Sequence, residues 1–304
     1  MDNTSILVLG AGELGMPVLR NLAKRITHFS GTTITVLLRP STIKSTVPEK
    51  LRDIKELRSL GVKILAGDLS SAVTELTALF KGFHTVISCT GFVNGSGGLQ
   101  IKLTRAILAA GVKRYFPWQF GVDYDIVGRG SAQDLFDEQL DVRDLLRAQN
   151  ETEWVIVSTG MFTSFLFEPS FGIVDLPGNT VHALGNWNNA VTVTTPEDIG
   201  MLTAEICFAE PRIVNSIVYT AGDTITYKQL ADMVDAALNI KVQRVEWSVP
   251  ELTDELLKDA GNALKKYRLV FATGKGMSWD VGKTFNAQQQ IPTTNVLQWL
   301  KQNL

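Results

Sequence analysis

The start of the chain constrains its fold more than any other stretch. Four apolar residues, 6–9, run directly into Gly10-Ala11-Gly12-Glu13-Leu14-Gly15, a G-x-G-x-x-G motif, and a helical pattern follows. In a nucleotide-binding βαβ unit the first glycine permits a tight turn, the second lets the backbone approach a pyrophosphate, and the third lets helix and strand pack closely. The N–H groups at the start of the helix then face the phosphates. The motif therefore predicts a strand, a turn and a helix that bind a dinucleotide.

Apolar runs and helical patterns alternate through the first half of the chain. Strands are predicted at 33–38, 62–66, 85–89, 114–117 and 154–157, and helices at 13–25, 70–80, 99–110 and 134–149. Ser70 or Ser71 is the predicted cap of the second helix. This alternation predicts an α/β fold with a Rossmann-type, doubly wound parallel sheet, in which ligands bind at the carboxyl ends of the strands.

The character of the chain changes after residue 159. Aromatic residues and prolines crowd positions 162–177 without a regular period, which predicts loops that build a substrate pocket. Further elements are predicted as strands at 191–194 and 242–247 and as helices at 196–208, 226–238 and 251–267. We therefore expect a dinucleotide-binding domain over 1–159, with a return of chain at 190–210, and a smaller α+β substrate-binding lobe over 160–304.

Composition excludes several classes of partner. The 29 basic and 31 acidic residues give a net charge of −2, so no nucleic-acid partner is expected. No apolar run approaches membrane-spanning length, and the N-terminus lacks the basic region of a signal peptide. Cys89 and Cys207 lie far apart without metal-ligand spacing, which is typical of a reducing compartment. The expectation is a cytoplasmic protein that binds neither membrane nor metal; the oligomeric state is not indicated.

The end of the second predicted strand indicates which cofactor is bound. NAD-binding domains usually place an acid there to hold the ribose 2′-OH. This chain instead has Arg39 and Ser41, with Lys44 close behind, and no acid before Glu49. A guanidinium can bind a 2′-phosphate through two hydrogen bonds, and the serine and lysine add a donor and a charge. The pattern favours NADP(H) over NAD; the alternative is that these basic residues are solvated loop charges.

Further landmarks identify a family. They are Gly67-Asp68, the block Gly111-Val112-Lys113-Arg114-Tyr115-Phe116-Pro117-Trp118-Gln119-Phe120-Gly121, and Pro196-Glu197-Asp198-Ile199-Gly200. With the glycine motif and Arg39, they resemble the NmrA-like and isoflavone reductase-like proteins, an atypical branch of the short-chain dehydrogenases. The resemblance covers most of the chain, and residues 118–123 look more like the fungal members than the plant reductases. It implies a Rossmann fold, NADP(H) binding and reductase activity.

The resemblance also implies roles for individual residues. The phenylalanine matching Phe120 lies against the nicotinamide in this family, and the segment matching 159–162 lines the junction of cofactor and substrate. Together with the strand ends, this gives the predicted cofactor-binding residues Gly10, Gly12, Glu13, Leu14, Gly15, Arg39, Ser41, Lys44, Asp68, Leu69, Cys89, Thr90, Gly91, Trp118, Phe120, Gly160 and Phe162.

Aromatic residues after the fifth strand predict a roomy apolar pocket for a flat or polycyclic substrate. The predicted substrate-contacting residues are Trp118, Met161, Phe162, Phe165 and Trp187. The alternative is that half of the aromatic residues fill the core, and this is expected of Phe165 or Phe167.

One position departs from the family pattern. The plant reductases carry a catalytic lysine on the helix after the fifth strand, and matching Phe136 and Arg143 to the family places Gln139 there. Glutamine can form hydrogen bonds but cannot act as a general acid or base. Hydride addition to a cationic acceptor such as an iminium needs no proton donor and would tolerate this residue.

A ketone substrate would need an acid. Tyr124, Asp123 and Asp137 are the nearest titratable candidates. Each has a structural alternative: Tyr124 as a packed aromatic residue, and Asp137 on a solvated helix face shared with Asp141, Arg143 and Arg147.

The predicted function is an NADPH-dependent reductase of a hydrophobic aromatic or alkaloid-like small molecule in secondary metabolism. The reducible group would be an imine or iminium, an enone or a ketone. A variant of this hypothesis couples reduction to a cyclisation such as a cycloaddition. The alternative is a non-catalytic NmrA-like redox sensor that binds dinucleotides and represses partners, which the missing lysine favours.

Overall fold

A computed structural model describes residues 4–91 and 97–304. The chain forms two compact units. The first unit comprises Met1–Gln119, Asp141–Val157 and Ile199–Val218, and the second comprises Phe120–Leu140, Ser158–Asp198 and Tyr219–Leu304. The predicted domain boundary at 159–160 lies close to Val157, after which the chain passes from the first unit to the second. This boundary stays a prediction.

A seven-stranded sheet forms the centre of the first unit. Its strands are β1 (Ser5–Leu9), β2 (Thr33–Leu38), β3 (Lys63–Ala66), β4 (Thr85–Ser88), β5 (Arg114–Phe116), β6 (Glu153–Ser158) and β11 (Ser216–Tyr219). They are ordered β11-β6-β5-β4-β1-β2-β3, and the strands from β1 to β6 pair in parallel with their neighbours among these six. The order reverses between β1 and β4, which is where doubly wound sheets bind ligands.

Buried apolar strands and amphipathic helices explain this architecture. The last four residues of β1 are fully buried, as expected of a central parallel strand covered on both faces. The helices between β1 and β5 are α1 (Gly15–Arg25), α2 (Pro40–Ile43), α3 (Pro48–Ser59), α4 (Val73–Phe80) and α5 (Leu99–Ala109). Two further helices, α7 (Leu135–Arg147) and α8 (Pro196–Cys207), come later in the chain. The predicted Rossmann-type α/β fold is confirmed.

The second unit contains two small sheets. One has the order β12-β10-β7, from β7 (Met161–Phe162), β10 (Ala190–Thr194) and β12 (Asp223–Thr226); the other has the order β13-β9-β8, from β8 (Val174–Asp175), β9 (Thr180–Leu184) and β13 (Gln243–Trp247). The remaining helices are α6 (Tyr124–Val127), α9 (Tyr227–Leu238), α10 (Val249–Lys258), α11 (Ala263–Ala272), α12 (Phe285–Gln288) and α13 (Val296–Asn303). Apolar residues of all of these helices except α12 belong to one core.

Two local predictions were wrong, and one helix was missed. α4 begins at Val73 with Ala72 as its N-cap, because Ser70 and Ser71 are held in a turn by Asp68. The single helix predicted at 251–267 is two helices, since α10 ends at Lys258 and Asn262 caps α11. α3 was not predicted, because only Ile54 and Leu57 are buried on it and its apolar period is weak.

Among residues 4–91 and 97–304, no helix combines the length and the hydrophobicity needed to cross a bilayer. The same residues contain no group of three or more His, Cys, Asp or Glu side chains placed to hold a metal ion.

Candidate functional site

The glycine motif forms a tight turn between β1 and α1. Gly10 has a φ of +95°, a conformation that favours glycine, and its N–H donates to Leu37 O at 3.3 Å. A Cβ on Gly15 would lie 2.2 Å from Gly10 O, so only hydrogen fits there. A Cβ on Gly12 would meet no atom within 4 Å. The first and third glycines are therefore required by the fold, whereas the second faces open space.

That open space belongs to a cavity of about 1060 Å³ at the carboxyl edge of the sheet. All of its lining residues lie in the first unit. They are Gly10, Ala11, Gly12, Leu37, Leu38, Arg39, Ser41, Thr42, Lys50, Gly67, Asp68, Leu69, Ser70, Cys89, Thr90, Gly97, Gly98, Leu99 and Lys102. The cavity is large enough for a nucleotide, since its volume lies just above the usual range of about 300–1,000 Å³ for small-molecule and cofactor sites.

Cationic side chains are among the residues that line this cavity. Arg39 follows β2 as the N-cap of α2, whose first residue is Pro40, and both Arg39 and Ser41 line the cavity. Lys44, predicted from sequence, is not a lining residue. Lys50, on α3, does line the cavity. It was not predicted as a site residue because α3 itself was not predicted.

Among the lining residues that the structure describes, the turn after β3 supplies the one carboxylate. Asp68 Oδ1 accepts the Ser70 N–H at 2.8 Å, and Asp68 O accepts the Ser71 N–H at 3.1 Å. Hydrogen bonds from Ser70 lower the pKa of Asp68, and the charges of Arg39 and Lys102 lower it further. The lining therefore carries three cations, Arg39, Lys50 and Lys102, against one ionised acid. Such a cavity suits an anionic ligand.

The residues that follow β4 form another part of the cavity wall. Cys89 and Thr90 line the cavity, and burial raises the pKa of the Cys89 thiol, which therefore stays protonated. Gly91 has a φ of +64° and its carbonyl accepts a hydrogen bond from Gln100 Nε2 at 3.0 Å. The indole of Trp118 comes within 3.9 Å of the position a Cβ on Gly91 would take. Gly91 and Trp118 therefore lie close to each other, and neither is among the residues that line the cavity.

Gly15 begins α1 and Leu14 is its N-cap, whereas Glu13 precedes the helix, and none of the three lines the cavity. The N–H of Gly15 belongs to the first helical turn, in which an α-helix has no internal acceptors. The acidic Glu13 is exposed.

The other predicted cofactor residues lie in the second unit. Phe120 is buried, and Gly121 O accepts the N–H groups of both Thr159 and Gly160 at 3.0 Å. Gly160 has a φ of +72°, and a Cβ there would lie 2.0 Å from Thr192 O. Phe162 ends β7, which pairs with β10. Phe120 therefore directly precedes, and Gly160 takes part in, the main-chain contact between Gly121 and residues 159–160, and Phe162 follows two residues later on β7.

The predicted substrate residues Met161, Phe165 and Trp187 belong to the core of the second unit or pack against it. Met161 is buried, and Trp187 is half-buried against the core. Phe165 stacks on Phe171 with a centroid separation of 4.4 Å, so its ring packs within the aromatic core. Phe167 stacks on Trp299 of α13 at 4.6 Å.

The three candidate catalytic residues occupy different environments within the second unit. Tyr124 is buried and contacts Phe136 edge-on at 5.0 Å. Asp137 accepts the Gly130 N–H at 3.0 Å from one oxygen and at 3.3 Å from the other. Gln139 is fully buried on α7.

The predicted solvated face of α7 was wrong for Arg143. This side chain is fully buried, and its Nε donates to Gln119 Oε1 at 2.8 Å. Its i, i+4 spacing from charged neighbours suggested a surface position, but buried Val142 and Leu146 put this part of the helix inside the first unit's core.

Comparisons with known proteins agree with this architecture. The model of the NmrA-like family matches residues 2–294. The NmrA-like family domain-containing oxidoreductase of Gibberella moniliformis (strain M3125 / FGSC 7600) is 47% identical over 298 residues, which cover 98% of this chain and 97% of that protein. Phenylcoumaran benzylic ether reductase 1 of Arabidopsis thaliana is 27% identical over 293 residues, covering 93% and 91%.

Solved structures give the same fold. The crystal structure of isoflavone reductase has a TM-score of 0.81 at 22% identity and covers all of both chains. AtPrR2 solved with NADP⁺ and (+)pinoresinol has a TM-score of 0.80 at 21% identity, again over all of both chains. The leucoanthocyanidin reductase–NADPH complex from Vitis vinifera has a TM-score of 0.79 at 19% identity, covering 98% of each chain.

The family model spans nearly the whole chain, and the resemblance read from the glycine motif and the block at 111–121 is confirmed. This chain belongs to the NmrA-like family.

Proposed function

We propose that this chain is an NADP(H)-dependent oxidoreductase that reduces a hydrophobic aromatic or alkaloid-like small molecule. The observation that carries the proposal is the cavity beside the glycine turn, with three cations and a single acid in its lining. The oxidoreductase relative at 47% identity supports it. Structural neighbours solved with NADP⁺ or NADPH support the choice of cofactor.

The residues present fit NADP(H). The open space above Gly12 accepts a pyrophosphate, which the first-turn N–H groups of α1 would bind. Arg39, Ser41 and Lys50 would hold the 2′-phosphate. Ionised Asp68 accepts hydrogen bonds and suits the amino group of adenine.

The experiment that tests the proposal is calorimetric titration with NADPH, NADP⁺, NADH and NAD⁺, followed by turnover assays on imine, enone and ketone panels. Tight NADPH binding and NADPH consumption with an aromatic acceptor are expected. Product analysis then separates simple reduction from reduction coupled to ring closure. Preferred binding of NADH would contradict the cofactor assignment.

Lys50, rather than Lys44, is expected to be the second cation on the 2′-phosphate. Lys50 lines the cavity and Lys44 does not. We expect Lys50→Met to weaken NADPH binding about fivefold, equivalent to roughly 1 kcal/mol for a partly exposed ion pair. Titration of both variants measures this, with Lys44→Met as the matched control that stays near wild type. Equal losses in the two variants would contradict the placement of Lys50.

The chain's own residues favour an acceptor that needs no proton. When bound, the nicotinamide supplies a hydride to the acceptor. Gln139 is fully buried and cannot ionise, so it can orient a polar group but cannot protonate an alkoxide. An iminium acceptor becomes a neutral amine on hydride addition, and no acid is required of the protein.

This reasoning predicts a preference that substrate pairs can reveal. For an iminium and a ketone of the same aromatic skeleton, we expect the iminium to be reduced about a hundredfold faster, since a missing general acid costs at least that much. The measurement is kcat/KM for each member of the pair. Comparable rates would mean that an acid is present, and Tyr124→Phe and Asp137→Asn would then identify it.

The buried, non-ionisable Gln139 also supports a second candidate, a redox sensor that binds the dinucleotide without turnover. Unequal affinity for NADP⁺ and NADPH, together with no consumption of NADPH on any acceptor panel, would favour the sensor. Turnover with any acceptor would remove it.

A further inference from the structure

A lysine on α5 ties two walls of the cavity together. The Lys102 ammonium donates to Ser70 O at 3.1 Å and to Ser71 O at 3.3 Å, and Lys102 itself lines the cavity. Ser70 and Ser71 belong to the turn after β3, whereas Lys102 lies on the first turns of α5. One side chain thus joins elements about 30 residues apart in sequence.

The turn that Lys102 holds is the one that presents Asp68. The Ser70 N–H donates to the Asp68 carboxylate and the Ser70 carbonyl accepts from Lys102, so this residue's main chain is held on both sides. The Ser71 N–H closes the turn on Asp68 O. Asp68 and Leu69, between these contacts, line the cavity. Their positions therefore depend on a network that Lys102 completes.

The ammonium already makes two hydrogen bonds to main-chain carbonyls. Turning toward a ligand phosphate would break both hydrogen bonds, the exposed one to Ser70 O and the part-buried one to Ser71 O, and would leave each carbonyl without its charged donor. An arrangement fixed before the ligand arrives reduces the cost of ordering the site on binding. The geometry therefore favours a lysine that shapes the site over one that contacts the phosphate.

We infer that Lys102 is a positioning residue for the adenosine end of the cavity: it holds the turn 68–71 so that Asp68 and Leu69 are in place for the base. The inference rests on the proposed function, since it concerns the same cavity. It differs from the role proposed for Arg39 and Lys50, which act on the 2′-phosphate. The two roles predict different losses with different fragments of the cofactor.

The test compares adenosine 2′,5′-bisphosphate with ADP, each measured by displacement of fluorescent NADPH. Lys102→Met keeps the length of the side chain and removes the donor, and we expect both fragments to bind about tenfold more weakly. Lys102→Arg, which can still donate to two carbonyls, is expected to retain most of the affinity. Arg105→Met on the same helix is the matched control, because Arg105 is exposed and absent from the lining.

Amide hydrogen exchange over residues 68–73 tests the turn without any ligand. We expect exchange at Ser70 and Ser71 to accelerate about tenfold in Lys102→Met and to stay unchanged in Arg105→Met. This readout holds even if the wild type fails to bind NADPH, an outcome that would reject the proposed function but not the role of Lys102 in the turn.

Two results would overturn the inference. A loss confined to the bisphosphate, with normal ADP binding, would place Lys102 on the 2′-phosphate. Unchanged exchange at Ser70 and Ser71 would mean that the turn does not depend on the lysine.

Discussion

Gly15→Ala is expected to destabilise the protein by about 3 kcal/mol or more, because the new methyl group would lie 2.2 Å from Gly10 O. A backbone oxygen cannot swing aside as a long side chain can. Either α1 moves away from β1, or the turn at Gly10 opens, and each change disturbs the switch point of the sheet. The measurement is the free energy of unfolding in urea, together with Tm.

Gly12→Ala is the matched control, since the same methyl group at residue 12 meets no atom within 4 Å. We expect wild-type stability and a loss of NADPH affinity of at least about tenfold, because a methyl group in the open space separates the phosphates from their N–H donors. The opposite pattern, a stable Gly15→Ala protein or normal NADPH binding in Gly12→Ala, would contradict the roles assigned to these glycines.

Arg39→Ala is expected to weaken NADPH binding on the order of a hundredfold while leaving NADH binding within about twofold. Two charge-assisted hydrogen bonds to the 2′-phosphate account for this factor, and NADH lacks the phosphate. Calorimetric titration of each cofactor provides the two dissociation constants.

The control for this prediction is Arg52→Ala, which removes an exposed arginine on α3 that does not line the cavity. Its NADPH affinity should match the wild type. An equal loss of NADPH and NADH affinity in Arg39→Ala would mean that the guanidinium supports the fold of the loop and not the 2′-phosphate.

Local sequence patterns were enough to predict β1, the glycine turn and the residues that follow β2. Gly10, Gly12 and Arg39 lie next to the strands that place them, so strand prediction alone put them at one edge of the sheet. Thr226 likewise caps α9 as expected, because a capping box with Gln229 is a local signal.

The residues that were missed are placed by packing between distant segments. Lys50 reaches the cavity because α3 packs against β3 and α2, and α3 has few buried residues to reveal it. Lys102 depends on the approach of α5 to the turn after β3. Arg143 has the spacing of a surface charge, and only the tertiary burial of α7 contradicts it.

The order of segments along the chain has a consequence for how this protein can be divided. The first unit draws on three separate stretches, and β6 and β11 arrive only after segments of the second unit have been translated. A fragment that ends at Gln119 would retain five strands and expose the edge of β5, a template for unwanted strand pairing. A nascent chain therefore depends on β6, which is translated later, to cover the edge of β5. Because the seven-stranded sheet draws on separate stretches of the chain, recombination of two genes at a single breakpoint cannot exchange this sheet as an intact module.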